Sequence, residues 1–556
     1  MEEHEKHTVL MLDEIQLSSG LAFDQTTGTV IGRPTLPLAD GSLPHAAVAT
    51  HGLVFMLGGV TERWKQTVAY PLTGNSFSSA AVQEQLIEII QECETIEVRI
   101  DAVVSGMGGG NMALWREFGI VVGKHSVSRV SCCHPVDRNR KLYFMADTAH
   151  LLKNLRNHFT SGQSIFLPEN VVEKHKLPSN EVNLVPIQKL VEIDSELQLN
   201  IAPHLKPSFL DPGHYEKMKV GPAFSSLNHD TAAALRFLVQ RGGLPQEALT
   251  TAWFIETIYR WFKVLTSHTT KLGISKLNDQ KYEDSLIFLK DMVTLFTDLK
   301  IGSPLKHVWK PVQTGIILVC KVALELQHYY LNEKGFFFVL LSRFAQDALE
   351  NLFSTLRAKN AVPKAFQFRS AIRAATLAQF FRPSRSGSYA IDDAPSLVGI
   401  ENCHARAPNS NDTEAVEYPS NLLDISMMEH ESFIYLAGFV VKSVAKHTRI
   451  CEQCNTATVS NEASVLTKLK SYTDDSKLVS PGPAVLHLLE TAENMFRVNS
   501  NKLLCNEITI GQLVATTNVQ AVNCFSPCHN TQERLLRAFF KTRINILLRK
   551  EYAFGS

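Results

Sequence analysis

The sequence has few cysteines, no excess of one charge and no long hydrophobic run. Its 556 residues carry 55 Lys and Arg against 55 Asp and Glu, so any nucleic-acid surface must be a local patch. The best membrane candidate, GIILVC at 315–320, is closed by Lys321 and is too short to span a bilayer. The opening MEEHEKH is polar, unlike a signal peptide. We therefore expect a soluble intracellular protein without a membrane partner.

Common nucleotide-binding loops are also missing. No GxxxxGK[ST] motif occurs, which excludes a P-loop mechanism. The run GMGGGN at 106–111 lacks the spacing of a dinucleotide fingerprint and the acidic residue that should follow it. Ten cysteines are too few for a disulfide scaffold, which leaves free thiols or a metal site.

The first 150 residues combine strand-like and helical patterns. Strands are predicted first, and strands then alternate with helices, which favours an α/β fold with a mixed sheet covered by helices. The predicted segments are strands at 7–17, 27–36, 45–59, 65–72, 97–105 and 141–147, and helices at 78–94 and around NMALWREFG.

From about residue 148 the sequence is mostly helical, and two stretches rich in Ser, Pro or Asn, 382–396 and 405–421, suggest a linker. A helix is predicted at 344–359, and the chain ends in the basic helix ERLLRAFFKTRINILLRK. The chain is too long for one core. We predict domains at 1–155, 156–340, 341–382 and 422–556, with a linker at 383–421.

The acidic residues occupy positions in the predicted strands and helices that suit metal-dependent phosphoryl transfer. Such sites hold two divalent ions about 3.5–4 Å apart between a few converging carboxylates. Asp13 lies at the far end of the first strand, and Glu350 lies on the predicted helix at 344–359 with Asp347 three residues before it. Taken alone, each acid is explained as well by a strand-end cap or a solvated helix face.

Several stretches together resemble transposases of the P-element type, the family that includes vertebrate proteins with an N-terminal THAP zinc finger. They follow the family's order over about residues 8 to 455: LMLDEIQL, ERWKQTVAY, VVSGMGGGNMALWREFGI, LYFMADTAHLLKNLRNHF, SRFAQDALENLFSTLRAKN and YLAGFVVKSVAK with CEQC. The resemblance implies an RNase H-like fold that is interrupted by a large, mostly helical GTP-binding insertion and followed by a mainly helical C-terminal region.

The resemblance also implies a catalytic site for Mg²⁺-dependent DNA cleavage and joining. The family's first Asp matches Asp13 and its Glu matches Glu350, and these two are the implied Mg²⁺ ligands. The second Asp belongs at position 106, which is Gly106 here, so a ligand is lost. Asp101 cannot replace it, because it lies roughly 16 Å back along the strand and faces the opposite side. Asp347 shares the face of Glu350 and is a further catalytic candidate that could approach a metal, without restoring the missing geometry.

For the nucleotide, the resemblance implies that Asp147 and Lys153 contact GTP. The family's Phe-Asp-x-x-Asn signature aligns with Phe262, Lys263 and Thr266, so the Asp and the Asn are both replaced. A cation such as Lys153 suits a phosphate. We therefore predict weak GTP binding.

The pair CEQC supplies Cys451 and Cys454, which is the spacing of half a zinc site. Two interpretations stay open: a Zn²⁺ site or free thiols. The remaining ligands of such a site would come from a set of four residues: Cys505, Cys524, Cys528 and His529. We interpret the adjacent Cys132 and Cys133 as structural.

Basic residues near Glu350 and at the C-terminus are candidates for binding DNA phosphates without reading sequence. The first group is Arg357, Lys359, Lys364, Arg369 and Arg373, and the second is Arg534, Arg537, Lys541, Arg543, Arg549 and Lys550. A solvated helix face is the alternative for both groups.

Two functional interpretations follow from these residues. One is a transposase core that cuts and joins DNA strands, impaired as written by Gly106. The other is a non-catalytic, domesticated protein that binds DNA or protein. Either would be nuclear, with DNA as partner and self-association as an oligomer. The sequence opens directly on the first strand, so we do not expect a THAP finger to provide site-specific recognition here.

Overall fold

The structure is a computed structural model. It describes residues 2–24, 28–38, 47–213, 217, 219–271, 273–302, 307–358, 360–381, 416–419, 425–447, 451–472, 478–521, 525 and 530–551. Most of the predicted linker at 383–421 lies outside these residues.

The N-terminal region forms one mixed sheet. Its strands are β1 (His7–Gln16), β4 (His51–Gly59), β5 (Lys65–Ala69), β6 (Leu72–Thr73), β7 (Arg99–Ser105), β8 (Ser131–Cys133) and β9 (Lys141–Ala146). Their order is β5-β4-β1-β7-β9-β8, and β6 pairs with β4. β1 is antiparallel to β4, whereas β1, β7 and β9 run parallel to one another. The carboxyl ends of these three parallel strands therefore meet at one edge.

The central strands are apolar because both faces of the sheet are covered. Val9, Leu10 and Leu12 of β1 are fully buried, as are Val103 and Val104 of β7. A separate pair of short strands, β2 (Ala22–Asp24) and β3 (Thr29–Ile31), forms a hairpin. The strand predicted at 27–36 is shorter than expected. It ends before Gly32, whose φ of +112° lies in a region that favours glycine.

Helices follow the strands as predicted. They are α1 (Ser79–Thr95), α2 (Gly109–Glu117) and α3 (Thr148–Thr160). In α1 the predicted apolar stripe buries Leu86, Ile90 and Cys93, and the Ser78 hydroxyl caps the helix by accepting from the Ala81 N–H. Cys132 and Cys133 lie in the edge strand β8.

The middle of the chain is mainly helical. Its helices are α4 (Glu169–His175), α5 (Val185–Glu196), α6 (Val220–Ser226), α7 (His229–Gln240), α8 (Ala248–Leu265), α9 (Asp279–Asp298) and α10 (Pro311–His328). Short strands accompany them: β10 (Ser164–Phe166), β11 (Glu181–Val182), β12 (Ile274–Ser275), β13 (Lys300–Gly302) and β14 (Phe338–Val339). They pair as β11-β10-β13 and β12-β14.

The helix predicted at 344–359 is shorter in the structure. A 3₁₀ turn occupies Leu341–Phe344, and the α-helix α11 runs over Asp347–Arg357. Its apolar residues Leu349, Leu352, Phe353 and Leu356 are buried, as their spacing predicts. α12 (Ala365–Phe381) follows.

The chain divides into two compact units. The first contains residues 1–184, 211–227 and 256–389, and the second contains 185–210, 228–255 and 390–556, each as far as it is described. The C-terminal elements of the second unit are α13 (Met427–His447), α14 (Glu452–Thr458), β15 (Val459–Ser460), α15 (Val465–Lys470), β16 (Ser480–Pro481), α16 (Pro483–Leu504), α17 (Ile510–Gln520) and α18 (Thr531–Glu551).

The second unit has its own hydrophobic core. Phe433, Val440, Leu489, Phe496 and Phe539 are among the residues buried there. The architecture agrees with the predicted α/β fold class: a mixed sheet with helices, and a helical C-terminal region. The predicted domain boundaries stay predictions. In the described residues, no helix is long and apolar enough to cross a membrane.

Candidate active and metal-binding site

The ends of β1 and β7 place position 106 beside Asp13. Leu12 pairs with Ser105 in the parallel ladder, and Asp13 and Gly106 each come one residue later. The Ser105 carbonyl accepts a hydrogen bond from the Asp147 N–H at 2.9 Å, which continues the alignment to the end of β9. The strand ends therefore converge where the sequence predicted an acidic site, with glycine at its second position.

Nothing in the backbone requires glycine at position 106. Its φ is not in the positive region, and an added Cβ would meet only the Asn111 Nδ2, at an ordinary 3.8 Å. An aspartate therefore fits at this position without strain. The site therefore lacks this carboxylate only because residue 106 has no side chain, and not because the backbone excludes one.

Gln346, the residue directly before α11, connects this helix to the strand ends and so holds Glu350 near them. The side-chain Nε2 of Gln346 donates to the Leu12 carbonyl at 2.6 Å, and its backbone N–H donates to Asp147 Oδ1 at 3.0 Å. Gln346 is fully buried. Both bonds connect the start of α11 to the residues that flank the site, and Glu350 follows one helical turn later.

Asp13, Glu350 and one unpredicted residue, His150, form a cluster. One ligand atom from each lies within 4.8 Å of the other two. The His150 Nε2 is 3.9 Å from a carboxylate oxygen of Glu350. Among the residues that the structure describes, no other set of three or more His, Cys, Asp or Glu side chains is placed to share an ion. Asp347 is exposed at the first residue of α11 and is not part of the cluster.

Asp147 fixes the orientation of His150. It caps α3, and its Oδ2 accepts from both the His150 N–H and the His150 Nδ1, at 2.9 and 2.8 Å. Burial alone would raise the pKa of Asp147, but these bonds and the one from Gln346 outweigh it and lower the pKa. Burial likewise tends to lower the pKa of His150, and its hydrogen bond to Asp147 outweighs this and raises it. The Nδ1 is thus engaged by a carboxylate, and the Nε2 is left on the side of Asp13 and Glu350.

The pKa of the Asp13 carboxyl group is strongly raised. Burial raises its pKa to about 6, and nearby His150 opposes the rise, whereas Glu350 and Asp147 add to it. A bound cation would relieve the repulsion between these carboxylates.

The cluster is a chemically reasonable site for a divalent cation. Ligand atoms that share one ion at about 2.1 Å lie at most about 4.2 Å apart, so small side-chain rotations suffice to close this set. Two carboxylates and one imidazole are donors that divalent metals accept. Asp13 and Glu350 were predicted as metal ligands, and the structure brings them together.

Neither His150 nor Gln346 was predicted from the sequence. An Asp-x-x-His pattern directly after a strand, at the start of a helix, places the histidine within reach of the capping aspartate. That local signal was available for His150. No comparable signal exists for Gln346, because its partner Leu12 is 334 residues away.

Of the predicted nucleotide residues, Asp147 is 2% exposed and bonded as described. Lys153 lies in the middle of α3 and is 8% exposed. Phe262 lies near the end of α8, where its ring packs against Phe224 at 5.6 Å between centroids. At this helix end the Lys263 ammonium lies 5.7 Å from the Tyr259 ring centroid, and the Thr266 hydroxyl donates to the Phe262 carbonyl. GTP contact by these residues stays a prediction.

Asp101, rejected above as a metal ligand, belongs to a buried polar network at the other end of β7. Its carboxylate accepts hydrogen bonds from His7 Nδ1 at 2.5 Å, from the Tyr330 hydroxyl at 2.8 Å and from the Arg140 guanidinium at 3.2 Å. The residue is 1% exposed. These partners account for its charge.

The predicted DNA-binding residues near Glu350 and at the C-terminus lie on different helices. Arg357 is exposed on α11, seven residues after Glu350 and hence on the same helix face, while Lys359 lies outside the described residues. On α18, Arg537, Lys541 and Arg549 are exposed. Arg537 is ion-paired with Glu533 at 2.7 Å.

One cation of the C-terminal group, Arg543, is not a surface group, which corrects the prediction for it. Arg543 is 1% exposed and makes two hydrogen bonds to the buried Glu493, at 2.6 and 2.8 Å. Lys550 donates to the backbone carbonyl of Leu197. Arg543 is thus engaged inside the helical unit, because a buried charge needs a partner.

Cys451 precedes α14 and is exposed, whereas Cys454 within that helix is 2% exposed. Cys505 is exposed, and Cys524, Cys528 and His529 lie outside the described residues. The zinc prediction therefore stays a prediction.

Comparison with known proteins agrees with this fold. The solved Drosophila P element transposase strand transfer complex aligns with 68% of this chain and 78% of its own chain, at a TM-score of 0.56 and 21% identity. At that identity the likeness establishes the fold. The predicted fold class is thus confirmed: the chain has an RNase H-like fold.

Sequence comparisons describe the likeness in more detail. A family model described as TNP-like, RNase H N-terminal domain matches residues 1–119, and one described as DNA transposase THAP9, C-terminal domain matches residues 423–539. The Drosophila melanogaster transposable element P transposase is 22% identical over 81% of this chain, and the Homo sapiens DNA transposase THAP9 is 22% identical over 63%. The chain spans 57% and 38% of the lengths of these relatives. It is homologous to P-element-type transposases, which confirms the resemblance drawn from its motifs.

Proposed function

We propose that this chain is a P-element-like transposase core in which metal-dependent cleavage and joining of DNA strands is impaired. One observation carries the proposal: Gly106 occupies the position beside Asp13 where a two-metal site needs a carboxylate. Two-metal catalysis uses one ion to activate the attacking oxygen and one to stabilise the leaving oxygen. Without the bridging acid, Asp13 and Glu350 cannot hold the pair of ions.

DNA is the proposed partner. Both curated relatives are named as transposases, and the solved relative is a strand transfer complex. Arg357 continues the Glu350 face of α11, roughly 10 Å further along the helix axis, where it would meet a phosphate of a bound strand. Self-association as an oligomer and a nuclear location are part of the same proposal.

A second candidate function is favoured by the same glycine. The chain would then be a non-catalytic, domesticated protein that binds DNA or protein through its surfaces. Binding and cleavage are separable, because phosphate contacts from Lys and Arg need no metal carboxylate. The two candidates differ in whether a restored carboxylate is enough to recover chemistry.

Binding of GTP is proposed to be weak. Lys263 and Thr266 stand where the family has an Asp and an Asn, and the loss of one buried polar partner costs about 1–3 kcal/mol. Two such losses reduce affinity about a hundredfold or more. Isothermal calorimetry should detect no low-micromolar GTP binding, and a low-micromolar affinity with preference over ATP would refute the proposed alignment.

The experiment for the main proposal is plasmid nicking in Mg²⁺ or Mn²⁺. The chain as it stands should not nick supercoiled plasmid, whereas Gly106→Asp should do so if the remaining site is intact. Gly106→Asn is the matched control, because it fills the same space without a carboxylate. Nicking by the unaltered chain that disappears in Glu350→Gln would contradict impairment. An inactive Gly106→Asp variant that still binds DNA would favour the non-catalytic candidate.

A further inference from the structure

The Asp13, His150 and Glu350 cluster differs in donor chemistry from a site made of carboxylates alone. Its members come from β1, α3 and α11, three elements that are distant in sequence. Their ligand atoms nevertheless lie within 4.8 Å of one another. The set offers two oxygen donors and one nitrogen donor to a single point.

His150 has the orientation of a metal-ligating histidine. In metal sites such a ring usually donates its second N–H to a carboxylate or carbonyl, which fixes the tautomer and aims the other nitrogen at the ion. Here the Nδ1 is held by Asp147 at 2.8 Å, and the carboxylate of Asp147 is buried and anchored by the Gln346 N–H. The arrangement leaves Nε2 as the nitrogen that faces Glu350, at 3.9 Å.

The donor set favours some cations over others. Mg²⁺ requires near-octahedral oxygen coordination and is usually held by carboxylates and water, whereas imidazole suits the first-row transition metals. The loss of the carboxylate at Gly106 removes an oxygen donor and leaves His150 as the third protein ligand.

We propose that Asp13, His150 and Glu350 bind a single divalent transition-metal ion in preference to Mg²⁺, with Asp147 as a positioning residue for His150. The proposal rests on the proposed function in one respect, namely that Gly106 supplies no ligand. It concerns binding in the absence of DNA, so it can be tested apart from nicking.

The test uses Mn²⁺ as the probe and the full chain as the protein. Electron paramagnetic resonance measures free Mn²⁺, so the decrease of this signal on addition of protein gives the number of bound ions. Competition with Mg²⁺ gives the preference of the site for Mn²⁺ over Mg²⁺. Electron spin-echo modulation of the bound Mn²⁺ reports directly whether a ¹⁴N nucleus is coordinated. This measurement needs no variant, so it remains decisive even where a substitution impairs folding.

We expect one strong Mn²⁺ site per chain, with an affinity at least about tenfold above that for Mg²⁺, and a ¹⁴N coupling. Glu350→Gln should abolish the site. His150→Gln should remove the coupling, and Asp147→Asn should weaken binding about 10–100-fold while the coupling persists. His158→Gln is the matched control, since His158 lies on the same helix but bonds Gln163.

Several outcomes would overturn the proposal. They are the lack of a strong Mn²⁺ site, equal affinity for Mg²⁺, two strong ions per chain, or bound Mn²⁺ without ¹⁴N coupling. A nicking result for Gly106→Asp leaves this conclusion unchanged, because the binding measurements contain no DNA. Conversely, the unaltered chain could lack a strong Mn²⁺ site and also fail to nick plasmid. That result would refute this inference and would still agree with the proposed impairment of catalysis.

Discussion

Gln346 and Leu12 are 334 residues apart in the chain, and the Gln346 side-chain Nε2 donates a 2.6 Å hydrogen bond to the Leu12 carbonyl. Leu12 immediately precedes Asp13, and Gln346 immediately precedes the helix that carries Glu350. This single buried bond therefore joins the two elements that supply the carboxylates.

Removal of this bond should loosen the site. Gln346→Met keeps the side-chain volume and deletes the donor, which leaves the Leu12 carbonyl without its partner. We expect a loss of about 1–2 kcal/mol in the free energy of unfolding. The loss should lie at the lower end for a buried hydrogen bond, because the substitution also removes Gln346 Oε1, which has no partner in the described structure. Mn²⁺ affinity should fall as well. Calorimetry and metal titration check these effects.

Gln83 provides the control for this substitution. Its amide donates to the Glu117 carbonyl at the surface, so Gln83→Ala should change stability by less than about 0.5 kcal/mol. Equal effects of the two substitutions would show that Gln346 has no special role.

In the absence of metal, Asp13 should make the free energy of unfolding decrease as the pH rises. Its folded pKa of about 6 lies above the ordinary aspartate value of 3.8, so the folded state binds more protons between these values. Its contribution is therefore fully present below about pH 4 and is lost as pH rises through 6. The Asp13→Asn variant does not titrate at this position, so its stability relative to that of the unaltered chain should increase as the pH rises. One pKa unit is about 1.4 kcal/mol, and partial exposure reduces the effect, so we expect about 1–2 kcal/mol.

Calorimetry in EDTA at pH 4.5 and 7.5 checks this expectation. Asp284→Asn, in an exposed position in the second turn of α9, serves as the control and should show no such pH-dependent gain. A stability difference between Asp13→Asn and the unaltered chain that is the same at both pH values would contradict the prediction.

Two arginines of α18 should differ sharply in their contribution to stability. Arg543 pairs with the fully buried Glu493, so Arg543→Leu leaves a buried charge with Arg497 as its remaining partner. The expected cost is about 3 kcal/mol. Arg537 pairs with Glu533 at the surface, and Arg537→Ala should cost less than about 1 kcal/mol. Thermal unfolding of both variants gives the comparison, and similar losses would show that burial does not set the strength of these pairs.

The exposed stripe of α18 should bind DNA phosphates. Arg537, Lys541 and Arg549 lie at intervals of four and eight residues and so share a side of the helix. Their joint replacement by Ala should reduce the slope of log affinity against log salt by two or more units, since each neutralised phosphate contributes about 0.9. Fluorescence anisotropy with duplex DNA measures this slope.

The control for the stripe is the exposed set Lys442, Lys446 and Lys468 of the same unit. Their replacement by Ala removes the same charge and should leave the slope nearly unchanged. Equal effects of the two triple substitutions would assign the binding to net charge, and an unaltered slope would mean that α18 is only a solvated helix face.

Local patterns predicted the elements of this protein well. The apolar spacing in α1 and α11 and the burial of Leu535, Leu536, Phe539 and Phe540 follow from periodicity, because a helix buries one face whatever it packs against. The resemblance to known transposases supplied Asp13 and Glu350, whose chain separation no local rule bridges. Gly106 was visible as a departure from that resemblance.

Tertiary structure decided which of these residues act together. Parallel pairing aligned Asp13 with Gly106, and the packing of α3 and α11 beside the strand ends added His150 and Gln346 to the site. It also separated Arg543, buried against Glu493, from Arg537 at the surface, although both read as cations of one basic helix. Sequence periodicity records which face of an element is apolar. The partners of a polar side chain depend on contacts between distant segments, and those exist only once the chain has folded.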